Sequence, residues 1–293
     1  MINTPSSPNS SGGSSLIRAF AQLFRLPVGL LAALAGCATL YALNSATQLQ
    51  SYLLTGIVLA FMYSAACAID DCWDVEKDRI DHPERPLPSG RLSKKQAWWA
   101  AVVLFAGALM AAIPLGLSPF LLVAVSTALL WNYSHLLAYS GIIGNAVVAA
   151  VVAALIFLGS LVAGRPWAML YPTGFLFCYT LAKEIIWDVH DAQGDRTQGI
   201  VTIANGWGDQ TAFWVAWGLM GALFGSIPVA LLLLPMAHPL LFAVFSSVML
   251  LSLGTALARY QRQRSVRAYE GFIFWERLSM LFGMLGLLGT APP

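Results

Sequence analysis

Asp70-Asp-Cys-Trp-Asp-Val-Glu-Lys-Asp-Arg-Ile-Asp-His-Pro-Glu-Arg-Pro-Leu-Pro-Ser-Gly-Arg-Leu-Ser-Lys-Lys95 is the stretch from which the rest of the chain can be read. It stands directly behind a long apolar run, Tyr52 to Ile69, in a protein that elsewhere carries few charges. If the segment entering it stays helical, Asp71, Asp74 and Asp78 fall at i, i+3 and i+7 and stack on one face. Three like charges so placed repel each other unless something positive sits between them. The same spacing returns at Asp188, Asp191 and Asp195, again where a long apolar segment ends.

The chain as a whole is 293 residues long, 58% hydrophobic and 10% charged, with a mean hydropathy of +0.70. A soluble domain would carry roughly 25% charged residues, so this is an integral membrane protein. A net charge of +2 is too small to imply a nucleic-acid partner. The four cysteines, Cys37, Cys67, Cys72 and Cys178, have neither CxxC nor Cys/His ligand spacing and read as free thiols. Residues 1–15 are mostly Ser, Pro, Asn and Gly without a charged side chain; they read as a disordered tail ahead of a single domain over 16–293. No basic start marks a cleavable signal.

A membrane-spanning helix needs about 20 mostly apolar residues. On that rule the chain is all-α with nine spans, at about 26–44, 50–70, 96–114, 117–136, 142–163, 168–187, 211–233, 238–257 and 271–290. The basic residues test the count, because cytoplasmic loops collect Lys and Arg. With the N-terminus cytoplasmic and the C-terminus outside, fourteen of sixteen basic residues fall on the inner side; Arg165 lies outside and Arg277 within the last span. Twelve of the fourteen acids lie in 70–84 and 184–209, both opening on that same inner face, and only Glu270 and Glu276 lie elsewhere. A bacterial inner membrane is the expected location. The glycines scattered through the spans, Gly141, Gly144, Gly218, Gly221 and Gly225 among them, read as points of close helix approach.

Two acidic triads at one membrane face suggest paired sites for hard cations. Mg2+ takes few carboxylates together with waters and phosphate oxygens, so a diphosphate held between the triads is the natural occupant. Residues 70–93 resemble the first aspartate-rich motif of the UbiA superfamily of intramembrane prenyltransferases, Asn-Asp-x-x-Asp-x-x-x-Asp continuing into Arg-Pro-x-x-Ser-Gly. Lys183-Glu-Ile-Ile-Trp-Asp-Val-His-Asp-Ala-Gln-Gly-Asp195 resembles the second. Arg25-Leu-Pro-Val resembles the family's signature in the first helix, and Gly144-Asn145 the pair opening its fifth.

The resemblance implies a nine-helix bundle around a central cavity with a cytoplasmic cap. In that bundle two Mg2+ bridge the diphosphate of a prenyl donor, and a lipid or aromatic acceptor in the membrane attacks the resulting allylic cation. Asp71, Asp74 and Asp78 would hold one ion and Asp188, Asp191 and Asp195 the other. Arg25, Arg79, Lys183 and Arg196 are candidates for gripping diphosphate oxygens. Asp70 and Glu184 are further acids at the site, Glu184 being either a ligand or the partner of Lys183. His190 and His82 stand where either could take a proton from an acceptor, and Trp73, Tyr133, Tyr179 and Trp187 are candidate cavity aromatics.

The chain departs from the family pattern at three positions. Asp70 replaces the leading Asn, Gly29 stands where the first helix often has Asn, and Ala138 aligns with a Lys ahead of Gly-Asn; the last two changes imply two missing diphosphate contacts, one of which His135 could replace. The Asp78-Arg-Ile-Asp-His-Pro-Glu-Arg-Pro wording is nearest the geranylgeranylglyceryl phosphate, homogentisate and chlorophyll branches. A terpene cyclase of the same family, needing no acceptor, is the alternative, and a cation transporter a more distant one.

Overall fold

The computed structural model describes residues 11–293 except 134 and 137–139, and the side chains from residue 15 onward. Residues 1–10, most of the expected tail, and Ala138 lie outside the described residues. The last five residues of that expected tail already belong to α1, Ser11–Leu23. There follow α2 (Leu26–Leu43), α3 (Leu49–Trp73), α4 (Val75–Asp81), α5 (Lys94–Ala112), α6 (Leu117–Trp131), α7 (Gly141–Val162), α8 (Leu170–Thr197), α9 (Ile203–Trp207), α10 (Asp209–Leu233), α11 (Pro239–Gln263) and α12 (Val266–Gly289).

Local chemistry sets several of the starts. Ser93 and Gln96 form a reciprocal capping box ahead of α5, and Thr202 and Asn205 form another ahead of α9. Ser140 caps α7 by accepting from the Ile143 amide, and Pro239 opens α11, where a missing N–H costs nothing.

All the described secondary structure is helical. Among the described residues seven helices, α2, α3, α5, α7, α10, α11 and α12, are long and apolar enough to cross a membrane. The other two expected spans differ in kind. The fourth is α6, apolar but only 15 residues long; the sixth is α8, whose 28 residues run without interruption from the apolar segment through the second acidic triad. Among the described residues the long helices pack in chain order, α2 on α3, α3 on α5, then α6, α7, α8, α10, α11 and α12, and α12 returns to α2. A closed ring of this kind leaves room at its centre.

Gly283, Gly286 and Gly289 let α12 lie directly on α11: a Cβ at Gly289 would stand 2.6 Å from the Phe242 nitrogen. Gly218, Gly221 and Gly225 of α10 have nothing within 4 Å, so the close approach expected of them is not made. The four cysteines are free thiols, as their spacing indicated.

Candidate active site

The first acidic segment is not one helix. α3 ends at Trp73, Asp74 forms the joint with φ −93° and ψ 13°, and α4 begins at Val75. The joint keeps the helical phase, because the Asp74 amide donates to the Asp70 carbonyl at 2.9 Å and the Asp78 amide to that of Asp74 at 2.8 Å. Asp71 and Asp78 are both buried and share one cation. Arg85 Nη1 donates to the two carboxylate oxygens of Asp78 at 2.7 and 2.8 Å and lies 3.6 Å from Asp71 Oδ1. Arg25 Nη2 donates to that same Asp71 oxygen at 3.0 Å. Arg25 links α1 to α2 with φ 45°, in the left-handed region that a side chain enters only under constraint.

The second triad rides on α8. Asn145 Nδ2 donates to Asp188 Oδ2 at 2.7 Å. Asp191 Oδ1 meets two imidazoles, His190 Nδ1 at 2.7 Å and His82 Nε2 at 3.3 Å. The His190 ring stacks on Tyr269 with centroids 3.8 Å apart. Lys77, from the first segment, reaches across to Asp195 Oδ1 at 2.8 Å and to Asp191 Oδ2 at 4.0 Å. The two acidic segments therefore face each other across Lys77. Gly194 permits the approach: a Cβ there would collide with the Asp81 carboxylate and stand 2.7 Å from Lys77 Cγ.

Between them opens a cavity of about 760 Å³ whose lining includes Asp70, Asp71, Asp74, Asp78, Asp188, Asp191 and Asp195 at one end, with Arg25, Lys77, His82 and Arg85. Its walls are apolar, from Val28 and Leu31 on α2 through Met62, Leu155 and Phe175 to Met280 and Met284 on α12, with Trp73, Tyr133, Trp187 and Tyr269 as aromatics. A volume of this order accommodates a sizeable organic ligand.

Ten carboxylates against five permanent cations leave the cavity lining short of positive charge. Burial, reinforced by Asp70, pushes the Asp74 carboxyl up to about 8, and burial with Asp191 pushes Asp81 to about 6. Burial opposes the charge on Lys77, yet Asp195, Asp191 and Asp74 raise its pKa above the usual lysine range. Asp195 Oδ2 is buried and accepts no hydrogen bond from the described residues. An all-oxygen set with a surplus of carboxylates and an orphaned oxygen fits hard divalent cations.

Of the cations read from the sequence, Arg25 lines the cavity beside Asp71. Arg79 instead turns outward, its side chain 59% exposed and paired with Glu76. Arg196 is exposed and outside the lining. Lys183 lines the cavity but is engaged by Glu184 at 3.0 Å and Glu276 at 3.7 Å, which gives Glu184 its partner. Asp70, His190 and Tyr133 are all near the aspartate end, Asp70 and Tyr133 in the lining itself.

Tyr179 is not a cavity aromatic: it is fully buried between α8 and α12, its hydroxyl 2.5 Å from Ser279 Oγ. Gly29 faces α3, where a Cβ would meet Tyr63 and Ser64, and His135 is exposed, its ring 6.0 Å from that of Trp73 and outside the lining. Sequence reading missed Lys77 and Arg85, which it had counted as inner-loop charges, and gave Asn145 no partner.

The sequence model of the UbiA prenyltransferase family matches residues 29–278. The chain is 34% identical over 179 residues to a digeranylgeranylglyceryl phosphate synthase of Sulfolobus acidocaldarius, a match spanning 61% of this chain and 65% of that protein. It is 31% identical to the protein of that name from Thermococcus kodakarensis over 74% of this chain and 77% of that one. The Korarchaeum cryptofilum protein of the same name is 28% identical over 92% and 96%. Among solved structures, a UbiA homolog from Archaeoglobus fulgidus bound to GPP and Mg2+ superposes with a TM-score of 0.70 at 18% identity, over 92% of this chain and 99% of that one. The apo structure of a UbiA homolog from Aeropyrum pernix K1 gives 0.71 at 18%, over 89% and 96%.

Proposed function

The chain belongs to the UbiA prenyltransferase family, and from that premise we propose that it transfers a prenyl group from a prenyl diphosphate to a lipid acceptor within the membrane, in a Mg2+-dependent reaction. The observation that carries the reading is Lys77 of the first acidic segment at 2.8 Å from Asp195 of the second: two carboxylate clusters that close can share a single anion. Asp71, Asp74 and Asp78 would hold one ion, and Asp188, Asp191 and Asp195 the other. Bound Mg2+ supplies the positive charge that stabilises diphosphate as it leaves.

The chain's own residues do the rest. Arg25, Arg85 and Lys77 are placed to trade their present carboxylate partners for diphosphate oxygens. Asn145 fixes the orientation of Asp188 from behind, and His82 and His190 do so for Asp191. The apolar wall holds the hydrocarbon and excludes water, which would otherwise capture the allylic cation. Ring faces of Trp73, Tyr133, Trp187 and Tyr269 border the space in which that cation forms.

In this reading nine helices cross the bilayer, α6 and α8 joining the seven apolar ones, with the acidic face and its cap cytoplasmic and the C-terminus outside. The names of the archaeal relatives favour a glycerophosphate lipid over an aromatic acceptor.

The test is turnover by the purified full-length protein with labelled geranyl or geranylgeranyl diphosphate, with and without geranylgeranylglyceryl phosphate. The expected product needs both acceptor and Mg2+, disappears with chelator and returns on adding Mg2+. A cyclic hydrocarbon formed without acceptor would favour a cyclase; no diphosphate release under any condition would reject both.

A further inference from the structure

Below the aspartates, the cavity wall carries a second polar group that the ionisation of a donor does not use. Lys183 lies five residues before Asp188 on α8, about 7.5 Å further into the bundle at 1.5 Å per residue. Its ammonium stands between Glu184 and, on α12, Glu276, at 3.0 and 3.7 Å. Glu276 is 2% exposed, lines the cavity, and its Oε1 accepts no hydrogen bond among the described residues. The next residue, Arg277, lines the same cavity. It is exposed and makes no ion pair among the described residues, although it sits well inside an apolar span.

Ionisable side chains at such depth are costly and mark functional positions. Lys183 already serves two carboxylates, so Arg277 is the cation left over, while Glu276, held by Lys183 only at 3.7 Å and without a hydrogen bond to Oε1, keeps capacity to accept one. A cation without an ion-pair partner beside a carboxylate with spare acceptor capacity matches a ligand that brings both a negative charge and a hydroxyl.

We propose that Glu276 and Arg277 form the acceptor subsite for a hydroxyl-bearing lipid phosphate, Arg277 pairing with the phosphate and Glu276 receiving the hydroxyl proton. The proposal rests on the prenyl-transfer reading and names its second substrate by chemistry. In the step, a lone pair of the acceptor oxygen forms the new C–O bond to the donor's first carbon. The bond from that carbon to diphosphate breaks with its electron pair leaving on diphosphate, and the hydroxyl proton moves to the Glu276 carboxylate. Lys183 holds Glu276 in place for this. So does the contact from Tyr179 to Ser279 Oγ, whose hydroxyl donates to the Glu276 carbonyl at 2.7 Å. Both depths suit the geometry, because the reacting carbon hangs from the diphosphate into the bundle.

The experiment separates binding from turnover, using full-length protein in lipid nanodiscs. Binding of geranylgeranylglyceryl phosphate, and of the same glyceryl ether lacking phosphate, is followed by calorimetry. Turnover of geranylgeranyl diphosphate is followed both as transfer and as acceptor-independent hydrolysis. Arg277→Gln is expected to weaken the phosphate-bearing probe by about tenfold or more, leave the neutral ether unchanged and leave donor hydrolysis intact, with Arg277→Lys partly restoring affinity. Glu276→Gln is expected to lower transfer by about a hundredfold while hydrolysis stays within about twofold of the parent. Unchanged probe binding in Arg277→Gln, parent-level transfer in Glu276→Gln, or parallel loss of hydrolysis in both would overturn the subsite. Failure of the parent to release diphosphate would instead reject prenyl transfer, and the binding arm would still decide whether lipid phosphate docks at Arg277.

Discussion

Replacing Gly194 by alanine tests whether the short helix α4 and the long helix α8 must touch for the two acidic clusters to act together. The added Cβ would overlap the Asp81 carboxylate and stand 2.7 Å from Lys77 Cγ and 2.9 Å from Asp81 Cγ. Carbon atoms settle at roughly 3.5–4.0 Å, so one element must retreat by about 1 Å. α8 is a 28-residue helix wedged between α7 and α10. α4 has seven residues and is the one to move, carrying Lys77 and Asp78 away from Asp195. Overpacking of this kind costs about 1–3 kcal/mol of stability, and a displacement of about 1 Å at a reacting site costs about a hundredfold in rate.

We therefore expect kcat/KM of Gly194→Ala to fall about a hundredfold with a modest drop in melting temperature, measured by diphosphate release and by thermal unfolding in detergent. Adding Asp81→Ala removes the atoms struck and should recover part of the loss, a coupling of about 0.5–3 kcal/mol for residues in contact. Gly221→Ala, with nothing within 4 Å of its Cβ, is the matched control and should behave like the parent. A Gly194→Ala protein that turns over donor at the parent rate would refute the reasoning.

Asp71→Ala and Asp191→Ala should each abolish turnover while leaving the bundle folded by circular dichroism. Lys77→Met leaves the buried Asp195 uncompensated; the metal-free protein should lose about 3–5 kcal/mol, and Mg2+ with diphosphate should raise its melting temperature more than the parent's. Arg85→Ala, which removes the partner of Asp78 and leaves Asp71 to Arg25 alone, should raise the donor KM by about tenfold or more, whereas Arg79→Ala, paired with Glu76 at the surface, should stay near the parent. Asn145→Ala should weaken Mg2+ by about 10- to 100-fold, read from the metal dependence of the rate.

The membrane class, the order of the long helices and the opposition of the two triads were all legible, because long apolar runs and aspartate spacing are local signals. The choice of cations was not, and α4 shows why. Counting charges per loop treats Lys77, Arg79 and Arg85 alike. The phase of the helix separates them: Asp74, Lys77, Asp78 and Asp81 follow at i, i+3, i+4 and i+7 on one face, from which Lys77 and Asp81 meet α8, while Glu76, Arg79 and Ile80 fall on the other side and are exposed. Applied to the first acidic segment, the rule that placed its aspartates would also have picked Lys77 and set Arg79 aside.

Arg85 needed more, since the turn after α4 brings it back onto Asp78 without any periodicity to announce it. Glu276 lay further still from sequence, because its meeting with Lys183 depends on the depth and rotation of two helices distant in the chain. Arg277, by contrast, is visible in sequence as a basic residue inside an apolar span, though the sequence reading gave it no role. A positive side chain that topology does not explain, in a solvent that penalises it, has to find an anion somewhere. The neighbouring carboxylate of Glu276 is engaged by Lys183, which is why the proposed subsite assigns that anion to a ligand.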